Sequence, residues 1–133
     1  MVLFINTNAC YNRNVGLTKE KSDVGLQLAY LDTELAAAKA ANKGAWIIGN
    51  VNPGSSFCNS RWSRRYNILV EKYNTVIRMQ LFGHEAKEYF QLQFPLEGDK
   101  KPIGVTIQGG KATTLGQNPR FKIIEVDKQY LVP

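Results

Sequence analysis

The order of strand-like and helix-like segments constrains this chain more than any other feature. A short apolar run rich in β-formers, "VLFIN" at 2–6, precedes a helical stripe, and a second run, "AWIIGN" at 45–50, precedes another. The first stripe follows a possible Ser22-Asp23 cap, ends before Gly44, and contains Val24, Leu28, Leu31, Leu35 and Ala38. We therefore predict two β–α–β units and a sheet that begins with parallel strands.

A second helix and four more strands are predicted further along the chain. The helix runs from about Ser60 to Tyr73, and its inner side holds Trp62, Tyr66, Leu69 and Val70 or Tyr73. The strand candidates are "TVIRMQLFG", "YFQLQF", "IGVTIQ" and "FKIIEV". The predicted class is α/β, with two main helices and a mixed sheet that ends in antiparallel meanders. With 133 residues, 44% of them apolar, we expect 1–133 to form a single domain.

Positive charge is concentrated on the predicted second helix. The net charge of +6 favours anionic partners without naming one. Arg61, Arg64 and Arg65 share one helix face, which suits a phosphate, a lipid headgroup at a membrane surface or a nucleic-acid backbone. A solvated helix face explains the same arginines and is the favoured interpretation. No specific nucleic-acid motif accompanies them.

Polar residues follow each of the first three predicted strands. They are Asn6, Asn8 and Cys10 after the first strand, Asn50 and Asn52 after the second, and His84 after the third. Because ligand sites in open α/β sheets gather at the carboxyl ends of strands, we expect a cleft there. The asparagines either line that cleft or serve as turn residues, and the second interpretation is slightly favoured.

Further candidates surround the histidine and the cysteines. Glu85 and Glu88 offer alternative oxygen ligands, but residues 84 and 85 point to opposite sides of an extended segment, so we expect both glutamates to be exposed. Cys10 and Cys58 are too far apart for a zinc knuckle, which leaves a single disulfide or two free thiols.

Five ordered motifs resemble one family over nearly the whole chain. "INTNACY" resembles a strand that ends Asn-x-Asn-x-Cys, "DVGLQLAYLDTEL" a Gly-Gln-Leu-x-Trp-Leu helix, and "WIIGNVNPG" an Ile-Ile-Gly-His-x-Pro-Pro-Gly segment. "CNSRWSRRYNILVEKYNTVIRMQLFGHEAKEYF" resembles a Cys, Ser-Trp-Ser, Tyr, Tyr-x-Asn-Thr series that ends in Gln-x-Phe-Gly-His-Thr-His, and "KATTLGQNPRF" an Ala-Thr-Thr…Asn-Pro segment. The chain is therefore similar to the acid-sphingomyelinase-like branch of the calcineurin-like metallophosphoesterases.

The resemblance covers only the C-terminal half of that family's catalytic domain. The Asp-x-His, Gly-Asp and Gly-Asn-His motifs of the N-terminal half do not occur here. The implied fold is half of the family's αββα sandwich, and the implied cofactor of the complete family domain is a dinuclear divalent metal site, such as zinc. Three histidine ligands of this half fall on Asn50, His84 and Ala86. A two-metal site needs several imidazole and carboxylate ligands, so we predict no catalytic residue and no cofactor for the isolated chain, with His84 a vestigial ligand and Asn50 a replaced one.

The resemblance also implies a location and a function. It pairs Cys10 with Cys58 in a disulfide and so implies a secreted or lumenal protein, although the chain as given shows no signal peptide and reads as soluble. The leading hypothesis is a non-catalytic relative that acts as a binding or interaction module. One alternative is half of a two-piece metal-dependent phosphodiesterase, completed by a partner chain. Another is a basic binder of phospholipid or nucleic acid.

Without the family's N-terminal half, an apolar face of the sheet is expected to lie open. We therefore predict a homo-oligomer, most simply a two-fold dimer, or association with the missing N-terminal half. The edges of "IGVTIQ" and "FKIIEV" are expected to be able to pair with another copy. If the two helices instead cover both faces of the sheet, a monomer suffices.

Overall fold

The computed structural model describes residues 1–19, 22–98, 100–113, 116, 118–130 and 132. Its elements are β1 (Val2–Phe4), α1 (Gln27–Ala40), β2 (Ala45–Ile48), α2 (Ser60–Lys72), β3 (Ile77–Phe82), β4 (Tyr89–Gln93) and β5 (Gly104–Gln108). Short 3-10 turns lie at Thr7–Ala9, Val15–Thr18 and Val24–Leu26. One five-stranded sheet with two helices confirms the predicted α/β class. Neither α1 nor α2, nor any other described helix, is long and apolar enough to span a membrane.

The sheet begins as predicted and ends differently. Strands β1, β2 and β3 are parallel neighbours, but β5 then inserts between β3 and β4, parallel to β3 and antiparallel to β4. The predicted closing meanders are therefore wrong, because a single antiparallel pair ends the sheet in the described part of the chain. The "IGVTIQ" strand also has no open edge, since β1 and β4 are the edge strands. Its Thr106 and Gln108 are fully buried on one face, which suits an interior position better than an edge.

The first helix starts later than its apolar stripe suggests. Gly25 and Leu26 have left-handed φ values of 70° and 52°, so the regular helix begins only at Gln27. Asp23 still caps it, because its two carboxylate oxygens accept hydrogen bonds from the backbone N–H groups of Leu28 (2.9 Å) and Ala29 (3.0 Å). The predicted stripe is otherwise buried, with Leu28, Leu31, Leu35 and Ala38 in the core.

Both helices pack on the same face of the sheet. Their buried side chains share one core with Leu3, Ile47 and Phe82 of the sheet, and the rings of Trp62 and Tyr66 stack at 5.7 Å. Two successive right-handed crossovers that advance in one direction place both helices on one side. The helices therefore do not cover both faces of the sheet, as the monomer alternative had assumed. The oligomeric state itself stays a prediction.

The opposite face, which we call the helix-free face, is apolar across all five strands. Strand register aligns one apolar side chain from each strand in a row, in the order Phe4, Ile48, Leu81, Ile107 and Phe90. Val2, Trp46, Val105 and Leu92 lie two residues before or after these positions and therefore on the same face. Neither of the two described helices lies over this surface.

The segment 120–126 lies over part of the helix-free face and is not a strand. Its residues "FKIIEV" have no strand assignment, so this strand prediction and its predicted open edge are wrong. Glu88, just before β4, holds the segment through ion pairs with Lys122 and with Arg120 (3.3 Å). Lys122 first, and then Arg120, lowers the pKa of Glu88. Strand formation needs a free edge to pair with, and β5, the closest strand in sequence, has both edges occupied.

Candidate functional site

The three polar loops meet at the carboxyl edge of the parallel strands. The Thr7 hydroxyl accepts hydrogen bonds from the backbone N–H groups of Asn50 (3.0 Å) and Val51 (2.7 Å). The N–H of Gly83 donates to the carbonyl of Asn50 at 2.9 Å. Gly49 permits this close approach, because a Cβ there would lie 2.7 Å from the Phe82 ring. The loops after β1, β2 and β3 are thus joined directly to one another.

His84 lies between two aromatic rings at this edge. It is exposed, has a left-handed φ of 68°, and contacts the rings of Tyr11 and Phe57 edge-on, each at a centroid distance of 5.0 Å. Tyr11 directly follows Cys10, and Phe57 directly precedes Cys58. These two cysteines form a disulfide, and their Cα atoms are 4.9 Å apart. The disulfide implied by the resemblance is therefore present, and it fixes the two rings that hold the histidine. Adjacency to the cysteines was the one sequence signal for these aromatics.

The other two positions of the family's histidine set carry no metal-binding imidazole. The amide oxygen of exposed Asn50 lies 3.6 Å from where a Cβ on Gly83 would be, so this side chain is beside the His84 loop. Ala86, with a φ of 56°, contributes only a methyl group. Among the residues that the structure describes, no three His, Cys, Asp or Glu side chains are grouped closely enough to hold a metal ion. These residues do not fit a two-metal centre, which requires several anionic and imidazole ligands.

The two glutamates near His84 have separate partners. Glu85 is half-buried and accepts a hydrogen bond from the Tyr89 hydroxyl at 2.7 Å, so its predicted exposure is wrong. Burial first, and then the bond to Glu85, raises the pKa of Tyr89. Glu88 is exposed as predicted but is engaged by Lys122 and Arg120. Neither carboxylate is left to replace a missing ligand.

The asparagines after the first two strands have different roles. The side-chain oxygen of Asn6 accepts from the N–H of Asn8 at 3.1 Å, which is the behaviour of a turn residue. Asn52 differs, because it is fully buried and its amide donates to the side-chain oxygen of Gln91 at 3.0 Å. Asn6 thus acts as a turn residue, whereas Asn52 joins its loop to β4 through Gln91.

Buried glutamines form a polar layer under the helices that the sequence analysis did not identify. The Tyr66 hydroxyl donates to the side-chain oxygen of Gln80 at 2.7 Å, and the Gln80 amide donates to the side-chain oxygen of Gln93 at 2.6 Å. Burial raises the pKa of Tyr66. The available signal was glutamine within otherwise apolar strands, as in "RMQLF" and "QLQF". This layer fixes α2 on the sheet and is closed to solvent.

The three arginines do not converge on one pocket. Arg61, Arg64 and Arg65 are all exposed on α2. Arg65 lines a groove between the two helices with Asp32 and Ile68, whereas Arg64 lines a separate groove on the other side of α2 against β4.

Comparison with known proteins confirms the family resemblance. No family model matches the chain. It is 32% identical over 130 residues to a sphingomyelin phosphodiesterase of Bos taurus and 31% identical to that of Homo sapiens, in both cases over 97% of this chain and 20% of the relative. It is 30% identical to acid sphingomyelinase-like phosphodiesterase 3b of Homo sapiens, over 98% of this chain and 32% of the relative. The chain thus spans a fifth to a third of the length of these curated relatives.

Proposed function

We propose that this relative of one part of the sphingomyelin phosphodiesterases is not a catalyst by itself and acts as an interaction module through its helix-free face. The observation that carries the proposal is the set of side chains at the joined loops, where one imidazole is accompanied by an amide and a methyl group. The apolar row of the helix-free face, whose end residues Phe4 and Phe90 are exposed, supports the choice of surface.

The chemistry of phosphodiester hydrolysis explains why this set of side chains is insufficient. A metal-dependent phosphodiesterase needs bound cations that bring the pKa of a water molecule toward 7 and stabilise the attacking and leaving oxygens. Asn50 offers a neutral oxygen, Ala86 offers none, and the His84 ring packs against Tyr11 and Phe57. Within the described part of the chain, no cluster of His, Cys, Asp or Glu side chains replaces such a centre.

The Cys10–Cys58 disulfide supports a secreted or lumenal location for the module. Disulfides persist in oxidising compartments and are rare where cellular thiols stay reduced. The bond also links the loop after β1 to the segment just before α2, and so stabilises the geometry of the site.

An assay on a chromogenic phosphodiester with added zinc or manganese tests the absence of catalysis. We expect the wild-type chain and His84→Ala to show the same background rate. Turnover above background that disappears in His84→Ala would refute the proposal, because it would give the imidazole a catalytic role.

A two-piece phosphodiesterase is the second candidate, because His84 lies at the edge of the sheet where the loops after β1, β2 and β3 are joined. The same assay, repeated after mixing with a polypeptide that carries the missing Asp-x-His and Gly-Asn-His motifs, tests it. Turnover that occurs in the mixture, but with neither polypeptide by itself, would favour the two-piece enzyme. The basic-binder alternative has less support, because Arg64 and Arg65 line different grooves.

A further inference from the structure

We propose that a positively charged groove at the amino edge of the sheet binds the phosphate group of a phosphomonoester. This basic groove lies where β2 and β3 begin, at the opposite end of the strands from His84. Its volume is about 280 Å³, and its lining includes Lys39, Asn42, Lys43, Gly44, Thr75 and Arg78. Neither the helix-free face nor the arginine cluster of α2 is part of it.

Three cationic side chains from different elements meet at the basic groove. Lys39 is in the last turn of α1 and Lys43 follows that helix, whereas Arg78 belongs to β3. In the part of the chain that the structure describes, no acidic side chain lines the groove, and these three cations form no ion pair. A cleft lined by charges of one sign focuses the electric field and attracts counter-ions. The basic groove therefore favours an anion.

Arg78 distinguishes the basic groove from an ordinary charged surface. Exposed lysines are common, and the helix dipole alone favours a lysine in the last turn of α1. Neither reason applies to an arginine near the start of an interior strand. Ala45 pairs with Ile77, and the next residue of β2, Trp46, pairs with Met79. Arg78 therefore has no partner residue on β2, and a bulge of this kind re-aims a side chain, here toward the groove.

The backbone around the basic groove gives room to the arginine and fixes the lysines. The stem of Arg78 lies across Gly44, where an added Cβ atom would be 2.8 Å from the Arg78 Cγ atom. The N–H group of Lys43 donates to the carbonyl of Ala38 at 2.9 Å. This bond closes the carboxyl end of α1 and holds the turn between the two lysines in a defined conformation.

The charge and the donors of the basic groove fit a phosphomonoester better than a carboxylate. A phosphomonoester carries a charge of about −1.5 to −2 near pH 7 and has three acceptor oxygens, whereas a carboxylate has one charge and two oxygens. Ammonium and guanidinium groups donate strong hydrogen bonds to phosphate oxygens, and exposed Asn42 and Thr75 add neutral donors. The volume is close to the lower end of ligand pockets, about 300 Å³. A phosphate with a small organic group is therefore the expected size.

An NMR titration of the folded chain with inorganic phosphate, at constant pH and ionic strength, tests the proposal. We expect saturable shifts at the backbone amides of Lys43, Gly44 and Arg78, and a much lower affinity for acetate. The double variant Lys39→Ala, Lys43→Ala should bind phosphate at least about tenfold more weakly, because it loses two charged donors.

A charge-matched control separates the basic groove from the overall positive charge. Arg61→Ala combined with Arg65→Ala removes the same charge from exposed positions of α2 and should leave phosphate affinity unchanged. Arg78→Met keeps the apolar stem and should weaken binding about as much as the double lysine variant, whereas Arg78→Lys should restore part of it. Circular dichroism melting confirms that each variant is folded.

Vesicles of phosphatidylcholine with and without phosphatidic acid distinguish the source of the phosphate group. Sedimentation with the phosphatidic acid vesicles alone, lost in the double lysine variant, would identify a lipid headgroup. Phosphate binding without vesicle binding would identify a soluble phosphomonoester. Three results would overturn the proposal: no saturable phosphate binding, equal affinity in the lysine and arginine double variants, or an affinity for acetate equal to that for phosphate. None of these measurements depends on catalysis, so the outcome is separate from that of the phosphodiester assay.

Discussion

At the scale of single residues, neighbours decide what His84 and the buried glutamines can do. His84 keeps its imidazole but has two aromatic rings as ring contacts, and the Asn50 and Ala86 positions supply no further imidazole. Gln80 is the reverse case, because its amide is almost fully buried and has three hydrogen-bond partners, Tyr66, Gln93 and the Val105 carbonyl. The exposed His84 thus contacts aromatic rings, whereas the buried Gln80 amide connects α2, β4 and β5 through hydrogen bonds.

Tyr66→Phe tests the weight of the buried polar layer. The substitution leaves the buried Gln80 side-chain oxygen without the donor that lies 2.7 Å away. An unsatisfied buried acceptor costs about 1–3 kcal/mol, so we expect a loss of that size in the free energy of unfolding, measured by urea denaturation. Tyr30→Phe, at a tyrosine that is exposed on α1, should leave the value unchanged. If Tyr66→Phe and Tyr30→Phe had the same free energy of unfolding, the Tyr66–Gln80 hydrogen bond would contribute nothing to stability.

At the scale of elements, the disulfide connects the first strand's loop to the start of α2 and holds the two aromatics beside His84. Its reduction should therefore loosen both the fold and the site. The sequence separation of Cys10 and Cys58 is 48 residues, and a link that closes such a loop is worth about 4 kcal/mol.

We expect reduction to lower the melting temperature by roughly 10–20 °C for a chain of this size. The double variant Cys10→Ser, Cys58→Ser should melt with the reduced wild type. Thiols that titrate in the unreduced native protein would contradict the bond, and so would a melting temperature that reductant leaves unchanged.

The elements also show which parts of the fold sequence patterns determine. The buried stripes of α1 and α2 follow from helical periodicity, because one local geometry sets that period. The first strands follow from short apolar runs rich in β-formers. Two features escaped prediction for different reasons. The left-handed Gly25 and Leu26 sit inside an apolar pattern that reads as helix, so the late start of α1 depends on backbone conformation that periodicity does not report. The "FKIIEV" segment has strand composition, but whether it pairs depends on which edges the completed sheet leaves free.

At the scale of the whole molecule, two surfaces of different character lie at different places on one sheet. The joined loops at the carboxyl edge hold His84 between Tyr11 and Phe57, and the helix-free face carries the apolar row. The side chains at 50, 84 and 86 can be read directly from the sequence, but their interpretation as replaced metal ligands comes from the family resemblance and stays a prediction. The open face was not predictable from the chain's own pattern, since it depends on both helices packing on the same side.

The zinc content of the protein tests the central claim most directly. After equilibrium dialysis against micromolar zinc in a buffer that competes for weakly bound metal, wild type and His84→Ala should retain the same amount, well below one equivalent per chain. This follows because a lone imidazole with a neutral amide lacks the ligands of a two-metal site. Two equivalents of zinc bound per wild-type chain and lost in His84→Ala would contradict the account.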